Sequence, residues 1–136
     1  MKAFVLLIYL FIMVPDPAKT IEDYKWEKRI VITNFDNEKL DAFLEGKERS
    51  IEERKLLFVE FEHDEYIRNT LQDEIDPAGF LETVTQKSPT AEWVLIGLDG
   101  GVKASGKRKD FSLDAIFHLI DQMPMRQSEI DHPNSL

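Results

Sequence analysis

Metal-binding residue types come close together in one short stretch of the chain, Glu60, Glu62, His63, Asp64 and Glu65. A hard divalent cation needs several oxygen ligands converging on one point. Alternate residues of a strand point to opposite faces, so this spacing divides the group instead of focusing it. A solvated acidic face is the simpler reading, and a divalent-ion site built on Glu60, Glu62, His63 and Asp64 is the alternative. The other two histidines, His118 and His132, complete no zinc-like spacing. No catalytic, cofactor-binding or metal-ligating set is therefore assigned. Thiol chemistry is excluded outright: the 136 residues contain no cysteine, and both disulfide exchange and thiol peroxidation require a thiolate.

Binding chemistry has two candidate locations. Trp26 and Arg29 stand three residues apart, a pair that can hold a ligand by stacking and by paired guanidinium donors. The plainer alternative is a Trp packed over a sheet end beside a salt-bridged Arg. Lys103, Lys107, Arg108 and Lys109 form a basic run on or after a hairpin, which could receive an acidic partner. Trp26, Arg29, Lys103 and Arg108 are the candidate ligand or partner contacts.

The elements that must position these residues follow from hydrophobic pattern. Ile30-Val31-Ile32-Thr33 reads as a buried strand, and Leu56 to Phe61, apolar on both faces for most of its length, reads as a central one. Between them Asn34 to Asn37 offers helix-starting side chains, and Leu40, Phe43 and Leu44 make one apolar helical face. Gly46 interrupts that helix, and Ser50 with Glu53 is a capping-box pattern for a second short one. Tyr66, Ile67, Thr70 and Leu71 have helical spacing, and Asp76-Pro77 opens a further helix carrying Phe80, Leu81 and Val84. Trp93 to Ile96 is a third buried strand. Asp99-Gly100-Gly101 then turns the chain into a fourth strand starting at Val102. Ser112 caps a last helix with the stripe Leu113, Ile116, Phe117 and Ile120, stopped at Pro124. The order β-α-β-α-β-β-α predicts an α/β domain with a central mixed sheet of about four strands flanked by helices, the order of the thioredoxin core. In such a core the reactive thiol follows the first strand, where this chain has Thr33-Asn34-Phe35-Asp36. Thr33 is read as a strand end and not as a nucleophile, since no base stands beside it. Pro89 lies a few residues before the third strand, as a thioredoxin cis-proline does, but an ordinary trans bond is favoured.

Length and composition bound the function. One domain of ordinary hydrophobic content (43%) is expected, with nine Phe and two Trp to fill a core. A net charge of -9 repels nucleic-acid backbones and anionic membrane surfaces. Lys2 followed by the apolar run Ala3 to Val14 reads as an export signal, too short for a span of about 20 residues. Cleavage after Ala18 is expected, giving a signal peptide over 1–18, a domain over 19–130 and a frayed tail over 131–136. The product is then periplasmic or extracellular with no membrane span, and a retained N-terminal anchor is the alternative. Without disulfides, stability has to come from apolar burial and the hydrogen-bonded sheet.

Three stretches together resemble one family. They are Tyr24 to Arg29 leading into Ile30-Val31-Ile32; Trp93-Val94-Leu95-Ile96-Gly97-Leu98-Asp99-Gly100-Gly101-Val102-Lys103; and Ile116 to Ile120 with Asp121-Gln122-Met123-Pro124-Met125-Arg126. The chain resembles the bacterial members of the DUDES domain, domain of unknown function (DUF) 4174, over about Tyr24 to Glu129. That family is related to domains of vertebrate secreted matrix proteins such as equarin and a sushi-repeat protein. Leu98 departs from the pattern, which has a basic residue before the Asp-Gly turn. The resemblance implies a thioredoxin-like fold and carries over no catalytic residues. The expected function is a non-enzymatic binding or structural module of the cell envelope, with an unidentified protein or envelope component as partner and no cofactor. The alternative is an enzyme or redox accessory of non-thiol chemistry, with or without a divalent metal, whose site is the acidic cluster or the Trp26 to Arg29 region.

Overall fold

A computed structural model describes residues 17–36, 40–87 and 89–132. The expected signal segment falls almost wholly outside these residues, as do Ser88 of the Ser88-Pro89 pair and the last four residues of the tail. No helix among the described residues is long and apolar enough to cross a membrane.

The architecture is α/β, with a five-stranded mixed sheet and helices on both faces. The strands are β1 (Arg29–Asn34), β2 (Leu56–Glu62), β3 (Glu65–Asn69), β4 (Trp93–Ile96) and β5 (Val102–Gly106), in the order β3-β2-β1-β4-β5. β1 and β2 are parallel, with Ile30 opposite Leu57 and Thr33 opposite Glu60. The other neighbours are antiparallel, including β1 with β4, where Ile32 meets Val94 and Thr33 meets Trp93. The helices are α1 (Leu40–Leu44), α2 (Glu48–Glu53), α3 (Pro77–Lys87), α4 (Leu113–Asp121) and α5 (Pro124–Asp131).

The continuous apolar runs sit where such runs must, in β1, β2 and β4 at the centre of the sheet, covered on both faces. Alternation divides their side chains between two cores. Val31, Leu56, Phe58 and Leu95 pack with Phe111, Leu113, Ile116, Phe117 and Ile120 of α4 and its approach. Ile30, Ile32, Leu57, Val59, Val94 and Ile96 pack with Tyr24, Phe80 and Val84 on the α3 side. Ser112 caps α4 as expected, its hydroxyl accepting from the Ala115 amide at 3.3 Å. Gly100 takes the left-handed conformation (φ 81°) that the β4–β5 turn requires.

Three expectations are corrected. Residues 66–71 do not form a helix: Glu65–Asn69 is strand β3, so the sheet has five strands instead of about four. A two-residue turn places both His63 (φ 49°) and Asp64 (φ 65°) in left-handed conformations and folds the chain straight back on β2. Ser50 is not a cap, because α2 starts earlier, at Glu48 after Lys47. Pro124 does not merely stop a helix: α4 ends at Asp121, and Pro124 takes the first position of α5, where its missing N–H costs nothing.

Candidate functional site

The two ends of β1 are built differently. At the carboxyl end Thr33 is buried between β2 and β4, in register with Glu60 and Trp93. Asn34 donates from Nδ2 to the Asp64 carboxylate at 2.7 Å and accepts from the Asp64 amide at 3.0 Å, pinning the β2–β3 turn. Phe35 stacks edge-on with Phe111, and the Arg108 guanidinium lies 5.7 Å from the Phe35 ring. This end is occupied by structural contacts.

The acidic stretch is dispersed by the hairpin. Glu60 is buried and accepts from Arg68 Nε at 2.8 Å, while Arg68 Nη2 reaches Asp41 of α1. Those two carboxylates raise the Arg68 pKa above its ordinary value. Asp64 is engaged by Asn34, and His63 is highly exposed. Among the described residues no three His, Asp or Glu side chains converge as a metal site would require. Beside Arg68 runs a groove of about 1000 Å³ between α1–α2 and the end of β3, with Leu44, Ile51 and Leu56 supplying its apolar part. The sequence gives no sign of it, because β3 was not legible as a strand.

The amino end of β1 presents Trp26. Its backbone is left-handed (φ 69°), a conformation rarely adopted by a bulky L-residue. The Trp26 N–H donates to the Leu98 carbonyl at 2.6 Å, tying it to the β4–β5 turn, yet the residue is 57% exposed. The Lys25 ammonium lies 5.9 Å from the ring, and the Lys25 stem passes beside Gly100. Lys103 arrives at the same turn from β5 and pairs with Asp99 at 2.8 Å. The Lys103 ammonium and the Gly101 amide hold the Asp99 carboxyl below its ordinary range. Trp26 and Lys103 are thus brought to one end of the sheet, and Arg108 lies at the other. The basic run does not act as one patch.

Arg29 separates from Trp26 altogether. Its side chain is 1% exposed and turns inward beneath α5. Nη1 lies 3.3 Å from both oxygens of Glu129 and donates to the Arg54 carbonyl at 2.9 Å. Around this pair, Arg54 grips Asp121 through two bonds of 3.0 and 2.7 Å. Arg126 reaches Asp121 and Glu129 at 3.2 and 3.4 Å, and Lys55 approaches Glu129 at 3.8 Å. Burial alone would raise the Asp121 carboxyl, but the Arg54 and Arg126 guanidiniums outweigh it and hold the group below the usual range. The salt-bridged alternative for Arg29 is the one found. Its partner Glu129, and the Arg126 that also reaches Glu129, were not singled out from sequence as an ion-pair cluster.

Residues 20–129 match the family described as Domain of unknown function (DUF4174). The chain belongs to that DUF4174 family. The match spans all five strands and ends at Glu129, so the buried partner of Arg29 falls inside the family domain. No curated protein and no solved structure matches.

Proposed function

We propose that this DUF4174 domain is an exported, thioredoxin-like module that binds a protein or other envelope component through the surface around Trp26, without thiol chemistry. The strands β2-β1-β4-β5, with one parallel and two antiparallel pairings, support the thioredoxin-like reading; β3 is then an added edge. Lys2 and the apolar run after it support export.

The observation that carries the binding role is the state of Trp26. A left-handed non-glycine residue costs of order 1–3 kcal/mol, and such strain clusters at functional positions. Here the cost is borne to hold an indole outside the core, and Trp is among the residue types enriched at binding hot spots. Lys25 and Lys103 at the same end of the sheet are already paired with Glu22 and Asp99, so the indole and not charge carries the reading.

Photo-crosslinking tests this role. A crosslinker at Glu27, next to Trp26, should yield a discrete adduct in envelope fractions, and one at Glu82 on α3 should not. Cell fractionation with N-terminal sequencing tests export, expecting a mature chain starting near Lys19 outside the cytoplasm. Insulin reduction and peroxide consumption by the purified protein should equal the buffer rate, and calorimetric titration with divalent cations should give no saturable heat. Saturable heat removed by changing Glu60 or Asp64 would favour the enzymatic alternative.

A further inference from the structure

Arg29 holds a feature that the Trp26 surface does not use. Its guanidinium is almost wholly buried, and Nη1 has three acceptor oxygens within hydrogen-bond distance, but Nε and Nη2 have no protein partner among the described residues. These two nitrogens form one edge of the guanidinium plane, with two parallel N–H groups spaced to meet the two oxygens of an oxyanion. Leaving buried charged donors unmatched is costly, which makes the edge a place where a ligand gains more than it would in water.

The surrounding charge has the matching sign. Arg29, Arg54, Lys55 and Arg126 gather around only two carboxylates, Asp121 and Glu129, giving a local excess of +2 inside a chain of net charge -9. Asp121 is held by Arg54 and Arg126, so Glu129 alone faces Arg29. The helix that supplies Glu129 is seated by polar contacts, those of Glu129 with Arg29 and of Arg126 with Asp121 and the Glu53 carbonyl, and not by apolar burial. Glu129 is the only buried residue of α5, while Met125 and Ile130 are exposed. Lifting it would uncover little apolar surface.

We propose that the Nε/Nη2 edge of Arg29 is an oxyanion-binding site, taking a carboxylate or phosphate group beneath α5. Glu129 holds the guanidinium by its other nitrogen until α5 lifts, and the charge of the ligand then replaces that of Glu129.

The test uses the full domain with inorganic phosphate and, separately, acetate as probes, reading the melting temperature at constant ionic strength against chloride. Wild-type protein should show a saturable rise with at least one oxyanion. Arg29→Lys keeps the charge but removes the paired edge, and should weaken the response at least tenfold. Glu129→Gln removes the competing negative charge while Nη1 stays on the Arg54 carbonyl, and should respond at lower concentration than wild type. A melting temperature that follows ionic strength alone, or an undiminished response in Arg29→Lys, overturns the proposal. If Arg29→Lys does not fold, equal responses in wild type and Glu129→Gln overturn it.

Discussion

Arg29 and Glu129, one hundred residues apart, meet as a buried ion pair with Nη1 at 3.3 Å from both carboxylate oxygens. The pair joins the first strand to the last helix and closes the family domain on itself.

The two members of this pair are not equivalent. Removing Glu129 leaves the guanidinium buried with no counter-charge in contact, which costs about 3–5 kcal/mol. Removing Arg29 leaves Glu129 with Arg126 and Lys55. In urea unfolding, Glu129→Gln should therefore lose more stability than Arg29→Met. The reverse order would mean that Glu129 does not serve chiefly to neutralise Arg29.

Trp26 should show the opposite of a core residue. Replacing it by glycine removes the left-handed strain, so Trp26→Gly should leave the unfolding free energy unchanged or raise it by up to about 1 kcal/mol. A loss above that size would show that the indole contributes substantially to stability.

Asp121 gives a signed pH dependence. Its folded pKa is depressed, so its contribution to stability is complete above the unfolded value of about 3.9. It wanes as pH falls below that value and disappears below the folded pKa. Asp121→Asn should be less stable than wild type at neutral pH and should lose less on acidification. Parallel pH profiles for the two proteins would contradict the assignment.

Phe117 lies in the core between the sheet and α4, with the Arg54 guanidinium 4.4 Å from its ring. Phe117→Ala should cost about 3–5 kcal/mol in chemical denaturation. A cost below about 1 kcal/mol would mean that the α4 stripe is not a core face.

What the sequence disclosed follows from how local each determinant is. β1, β2 and β4 carry their own apolar runs, and α4 its own stripe and Ser112 cap, so these were legible. β3 was not, because Tyr66, Ile67, Thr70 and Leu71 match helical spacing as well as an edge strand. The deciding turn at His63-Asp64 has no glycine and is pinned by Asn34, thirty residues away. Among the candidate contacts, Trp26 and Lys103 came together because both flank the β4–β5 turn. Arg29 was diverted inward by Glu129, whose distance along the chain leaves no trace in local pattern. Arg108 went to Phe35 at the far end of β1.

The most direct measurement of the binding role is photo-crosslinking from Glu27 in envelope fractions, performed with Trp26 intact and with Trp26→Ala. A recognition surface centred on the indole predicts a discrete adduct that is lost with Trp26→Ala while the domain stays folded. No adduct, or one of equal yield without the indole, would contradict it.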